Sequence, residues 1–237
     1  MISITGNGLR GSVSALDANT GTLLWKLHVE EHDSTRLTAA ATARGDVVYV
    51  PVASWEETRT QDQDYPCCTF RGSVVALRTS DGKRLWQTYL VDEPKERGKT
   101  SHNVPRFGPS GVAVWSTPTI DTKRGLLYVT TGDNYSSPAT ELSDAVVALS
   151  LDSGRVVWSR QVTKDDVFNG QCGSGGTNCP ATLGPDFDFG SPVILATLPD
   201  GRDVLLAGQK SGVVFAFDPD KQGEILWQTR VGKGGTG

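Results

Sequence analysis

No stretch of the 237 residues approaches the roughly 20 consecutive apolar positions that a membrane helix needs, so no membrane span is predicted. Lysine and arginine form no block, and 23 of them against 27 acidic residues give a formal net charge of -4, which argues against nucleic acid as the main partner. Histidine occurs three times and cysteine four times, yet neither supplies a zinc site. The cysteines fall as Cys67-Cys68 and as Cys172 with Cys179, without a C-x-x-C, and no histidine stands where it would complete a ligand set. His28 to His32 reads HVEEH, which fits an H-x-x-E-H zinc pattern, but that pattern works on a helix; here it continues a strand from Trp25, where the two rings stand about 13 Å apart. The haem signature C-x-x-C-H is missing too, so any haem domain is expected outside this chain. The opening MISITGNGLRG has neither the charged nor the apolar region of a signal peptide and reads as the middle of a strand and loop, from which upstream sequence is expected.

Helical periodicity is almost absent as well, and a repeat stands in its place. Four segments align: GSVSALDANTGTLLWKLHV from Gly11, GSVVALRTSDGKRLWQTYL from Gly72, DAVVALSLDSGRVVWSRQV from Asp144, and GVVFAFDPDKQGEILWQTRV from Gly212. Each is a short apolar strand, a polar turn closed by Gly, and a second strand entered at Trp25, Trp86, Trp158 or Trp227. Further strand pairs lie between the hairpins: 38–43 with 47–52, 114–120 with 126–130, and 189–198 with 204–208. Four antiparallel strands per repeat make a propeller blade. The sequence therefore predicts an all-β protein, a single partial β-propeller domain over 1–237. It consists of a partial blade at 1–35, blades at 36–91, 112–163 and 187–232, and a tail at 233–237 that starts a further one. Long insertions at 54–70, 92–111 and 163–188 are the loops where a rigid scaffold carries function.

The A-L-D-x-x-T-G-x-x-x-W hairpin, intact as Ala15 to Trp25 and degenerate in the other three segments, resembles the tryptophan-docking repeat of the pyrroloquinoline quinone (PQQ) dehydrogenases. The segments YVPVASWEE, CCTFRGSVVAL, VWSTPTIDTKRGLLYVTTGDNYS and GPDFDFGSP make the chain look most like the polyvinyl-alcohol dehydrogenase branch of that family. The resemblance covers essentially the whole chain and about half of an eight-bladed propeller. It implies a quinoprotein of the periplasm or secreted space that oxidises an alcohol, polyvinyl alcohol or a secondary alcohol, with PQQ and Ca²⁺, and passes electrons to a cytochrome c. The scaffold lipoproteins of outer-membrane assembly resemble the same docking repeat and are the alternative, a non-catalytic propeller. The discriminating features are those outside the repeat.

Carried over position by position, the resemblance implies a metal set of Glu56, with Glu57 beside it, and Asp133 or Asn134 at the end of the strand before the TTGDN corner. Carboxylate and amide oxygens are hard donors suited to Ca²⁺. Trp115 matches the indole that floors the quinone, Lys210 the cation at its edge, and Thr38 completes the cofactor-binding set. Asp186, with Asp188 next to it, matches the base that removes the hydroxyl proton of the alcohol. Flanking Phe187 and Phe189 would exclude water. Cys67 and Cys68 resemble the vicinal disulfide that lies over the quinone, and the even number of grouped cysteines is that of an oxidising compartment. Cys172 is expected to pair with Cys179. Glu56, Asp133 or Asn134, and Asp186 should point to one face. The isolated chain is expected to associate and to lack dehydrogenase activity.

Overall fold

The computed structural model describes residues 11–235, so the reading of Met1 to Arg10 and of the last two residues of the tail lies outside the described residues. The chain folds into successive antiparallel sheets. The first holds Ser12–Leu16 against Leu23–His28. The second runs from Thr35–Arg36 and Thr42–Arg44, both paired with Val47–Ser54, through Ser73–Arg78 to Arg84–Tyr89. The third orders Thr119–Asp121, Leu126–Thr130, Ala145–Ser150 and Val156–Gln161, and the fourth Ile194–Thr197, Asp203–Gly208, Val213–Asp218 and Glu224–Arg230. Among the described residues these form propeller blades, one of two strands and three of four or more.

The inner strands of the second and third blades read as nearly continuous apolar runs because neighbouring blades cover both of their faces. Side chains alternate along a strand. In Val47–Ser54, Val48, Val50 and Val52 therefore pack with Val13 and Val29 of the first blade, while Tyr49 packs with Leu127, Val129 and Val147 of the third. Leu126 and Tyr128 then face Phe215 and Phe217 of the fourth. Fully burying one such side chain stabilises by about 1.5–3 kcal/mol, so the inter-blade faces hold most of the core energy.

The docking tryptophans set the spacing between blades. In every blade an alanine lies opposite the indole, Ala15 with Trp25, Ala76 with Trp86, Ala148 with Trp158 and Ala216 with Trp227, and the register slips by one residue immediately after. That bulge turns the residue before each Trp outward, which is why Leu24, Leu85, Val157 and Leu226 are exposed despite their chemistry. The Trp25 and Trp86 indole N–H groups donate across to the carbonyls of Thr79 (2.8 Å) and Leu151 (3.2 Å) in the next blade. The ring faces lie on Gly82 and Gly154, and Trp158 lies on Gly223. All three glycines have positive φ, and a Cβ on any of them would meet the indole at under 3 Å. No described blade follows Glu224–Arg230, and Trp227 is 48 % exposed.

Two elements depart from the sequence reading. The insertion at 92–111 carries its own hairpin, Lys95–Lys99 with Pro105–Gly108, whose exposed polar composition hid it. The first strands of the blades are shorter than read: 112–118 and 189–193 form no strand and lead into them. His28 bonds Ser12 and His32 approaches Thr69 and Glu56, so the HVEEH histidines go to different places. Among the described residues no helix is long and apolar enough to cross a membrane.

Candidate functional site

The start of a blade's first strand and the end of its second lie at the same end of an antiparallel sheet. Trp115 and Asp188 precede the first strands of the third and fourth blades, and Thr38 that of the second. Trp55 and Glu57, Asp133, and Lys210 follow the second strands of the same three blades. These residues line one cavity of about 310 Å³, together with Ala113 and Tyr135. Close approach is built in: a Cβ on Gly132 would stand 2.8 Å from Asp188 Oδ1, and one on Gly190 2.8 Å from the Trp115 ring.

Three carboxylates, Asp133, Asp186 and Asp188, bring one oxygen each to within 4.8 Å of one another, all buried. Lys210 Nζ sits between two of them, 2.7 Å from Asp186 Oδ1 and 2.7 Å from Asp188 Oδ2, and 5.6 Å from the centre of the Trp115 ring. Asp188 Oδ1 accepts the Asp133 backbone N–H at 2.6 Å, which ties the third blade to the fourth. Asp133 Oδ2 is buried with no hydrogen-bond partner. Burial, and then the charges of Asp188 and Glu57, push the Asp133 carboxyl well above the usual range. Burial also raises Glu57, to about 7, with Asp188 and Asp186 adding to it and Lys210 opposing. Asp186 is raised by burial, against the hydrogen bond from Lys210. Burial lowers Lys210, but the Asp188 charge and the hydrogen bonds to both aspartates outweigh it and hold the ammonium above its ordinary value.

Lys210 answers Asp186 and Asp188 but leaves Asp133 Oδ2 without a partner, and hard carboxylate oxygens at this spacing fit Ca²⁺. The flat Trp115 face opposite a cationic edge fits a planar anionic ring.

Several expected positions move. Glu56 does not line the cavity: it opens the short helix Glu56–Arg59, is fully buried, and accepts from Tyr65 Oη (3.0 Å), Thr69 N (2.8 Å) and Phe70 N (2.8 Å). Its neighbour Glu57 faces the cavity, because adjacent helical residues point about 100° apart. Asn134 is occupied as well, its Nδ2 donating to Ser110 O and its Oδ1 accepting from Thr140, which leaves Asp133 as the residue with a spare oxygen. Cys67 and Cys68 are bonded to each other, as are Cys172 and Cys179, but the vicinal pair is buried beside Phe70 and Tyr135 and neither sulfur lines the Trp115 cavity. Trp55 and Tyr135 line it without having been singled out. Tyr135 was findable, two residues beyond Asp133, whereas Trp55 carried no signal beyond adjacency to the acidic pair.

Residues 71–231 match the family model described as PQQ: glucose/ethanol/alcohol dehydrogenase, β-propeller domain. A polyvinylalcohol dehydrogenase from a Pseudomonas species is 43 % identical over 221 residues, which is 93 % of this chain and 34 % of that protein. The chain thus spans about a third of the length of the polyvinylalcohol dehydrogenases it matches. Among solved structures, quinohemoprotein alcohol dehydrogenase ADHIIG from Pseudomonas putida HK5 superposes with a TM-score of 0.68 at 21 % identity, covering 95 % of this chain and 33 % of that one. BamB from Moraxella catarrhalis shares the fold at a TM-score of 0.53 and 19 % identity, over 97 % of this chain and 49 % of that one. With its repeat, its blades and a match over most of its length, the chain belongs to the PQQ-dependent dehydrogenase β-propeller family, with homology to polyvinylalcohol dehydrogenase.

Proposed function

We propose that this chain forms a sector of a PQQ- and Ca²⁺-dependent alcohol dehydrogenase that acts on polyvinyl alcohol or a secondary alcohol in the periplasm or secreted space and delivers electrons to a cytochrome c. The observation that carries the reading is the cavity in which the Trp115 ring, Lys210 and the carboxylates of Glu57, Asp133 and Asp188 meet, with Asp186 behind them on Lys210. A propeller scaffold needs no such set, so the likeness of this chain to BamB, in sequence at 25 % identity as well as in fold, does not by itself carry the function.

Trp115 supplies the flat wall for the quinone, with Thr38 at the rim of the same cavity. Asp133 and Glu57, which line the cavity where Glu56 does not, would hold Ca²⁺. Bound PQQ supplies the acceptor for the hydride equivalent lost from the alcohol carbon. Asp188 takes the hydroxyl proton, because it lines the cavity while Asp186 stands behind it on Lys210. Lys210 pairs with both aspartates, and its charge, which lies over the Trp115 ring, would face the edge of a bound quinone. Phe189 is fully buried next to Asp188 and keeps water from that side of the base. A dye-linked alcohol assay of the intact enzyme decides the matter. Asp188→Asn should abolish turnover while PQQ stays bound, and turnover retained by Asp188→Asn would refute the assignment.

A further inference from the structure

A second cavity, of about 210 Å³, lies among the insertions and lacks any residue of the Trp115 site. The hairpin of the 92–111 insertion forms one wall. Its second strand runs against the vicinal cysteines, Phe107 N donating to Cys67 O at 2.7 Å, and this presents Arg106 inward. Arg97 comes from the first strand, its Nε donating to Gly108 O at 3.2 Å. The opposite wall is the loop closed by Cys172–Cys179, which contributes Asn178 and Cys179.

The charge of this cavity is uncompensated. Two guanidinium groups line it and no carboxylate does, in a chain whose net charge is -4. Among the described residues neither Arg97 nor Arg106 forms an ion pair. Arg106 Nη2 donates to the Thr177 carbonyl, but its Nε is buried with no partner, which costs a charged group far more than an exposed arginine would lose. Asn178 is buried too. Its Nδ2 is taken by Tyr65 O at 2.9 Å, which fixes the amide orientation and leaves Oδ1 as an acceptor with no donor. Phe107, Pro180 and Ala181 add an apolar side.

A ligand that answers all of this carries an anionic group for the guanidinium pair, a hydrogen-bond donor for Asn178 Oδ1, and a short carbon body for the Phe107 side. Planar carboxylates match guanidinium geometry. We propose that the cavity between the 92–111 hairpin and the Cys172–Cys179 loop binds a small hydroxycarboxylic acid. The carboxylate lies on Arg106 and Arg97, and the hydroxyl donates to Asn178 Oδ1. This site is independent of the quinone reading.

Calorimetric titration of the intact protein with lactate, propionate, inorganic phosphate and 2-propanol tests the proposal. Lactate should bind, propionate more weakly for want of the hydroxyl, and any 2-propanol binding should be the same in wild type, Arg97→Gln and Arg106→Gln. Arg106→Gln should weaken lactate about ten- to a hundredfold. Because Arg106 is partly buried and bonds the Thr177 carbonyl, Arg97→Gln serves as the second variant: its side chain is on an exposed strand with one long bond to the Gly108 carbonyl, and the change should weaken lactate while moving the melting temperature little. Propionate binding as tightly as lactate, phosphate binding where lactate does not, or lactate affinity unmoved in Arg97→Gln and Arg106→Gln would each overturn it.

Discussion

Replacing Lys210 with methionine keeps the length of the side chain and removes the one cation that touches both Asp186 and Asp188. Those carboxylates are 5 % and 8 % exposed and a third, Asp133, lies within 4.8 Å, so the loss leaves like charges packed without a counter-ion. Breaking a buried pair from one side typically costs about 3–5 kcal/mol. The lower end applies, since the lysine itself keeps some exposure and a proton can be taken up by the freed carboxylates. About 3 kcal/mol in a chain of this size corresponds to a fall of roughly 6–12 °C in melting temperature. Calcium changes the outcome in a way that a packing defect would not. A cation in the same cluster replaces the lost positive charge, and a ligand at a hundred times its dissociation constant returns about 2.7 kcal/mol. Thermal melts in chelator and in excess Ca²⁺ should therefore show a variant that is crippled in the first and largely restored in the second, with the wild type moving less. A Lys210→Met protein within about 0.5 kcal/mol of wild type in chelator, or with the wild-type response to Ca²⁺, would refute the reasoning.

Glu56→Gln should destabilise by about 1–3 kcal/mol, because an amide cannot accept from Thr69 N and Phe70 N as the carboxylate does, while Glu57→Gln should leave stability nearly unchanged and weaken Ca²⁺-dependent PQQ binding; urea titrations and a PQQ-binding assay separate the two. Asp144 is buried with both oxygens unpartnered, and burial followed by the Asp188 and Asp166 charges raises it to about 9. Its raised value gives stability that is fully present below pH 4 and lost as pH rises toward 9, since the unfolded chain ionises first. Asp144→Asn, tolerated at its φ of 49°, should thus stabilise at pH 8 and not at pH 4, and equal shifts at both would contradict this. Gly154→Ala, whose Cβ would press on the Trp86 ring at 2.5 Å, should cost about 2–4 kcal/mol, whereas Gly125→Ala, with a similar φ and open space around it, should cost about 1 kcal/mol; denaturant midpoints measure both.

The blades were legible because their chemistry repeats: an alanine, a polar turn closed by glycine, and a tryptophan cannot recur four times without one packing arrangement behind them. The alternation of Val48, Val50 and Val52 against Tyr49 was on the page too, although the sequence could not say which neighbour each face meets. The site was legible as a region and blurred at single residues. Glu56 and Glu57 differ only in which way a one-turn helix points them, and that turn is too short to show a period. Asp133 and Asn134 are told apart by Thr140, six residues on, which occupies the asparagine. Asp186 and Asp188 lie two apart and share a direction, so only Lys210, from another blade, distinguishes the one behind from the one in front. The vicinal disulfide formed where the chemistry of adjacent cysteines allows, but its distance from the quinone cavity depends on the hairpin at 95–108. That hairpin is written in charged residues, which carry no strand signal.

The account stands on the Trp115 cavity binding a quinone through Ca²⁺, and one titration addresses it most directly. PQQ is added to the intact protein, with and without Ca²⁺, and tryptophan fluorescence is followed in the wild type and in Trp115→Phe. Quenching that needs Ca²⁺ in the wild type and is largely lost in Trp115→Phe is the predicted result; quenching that ignores Ca²⁺, or that survives unchanged without the Trp115 indole, would contradict it.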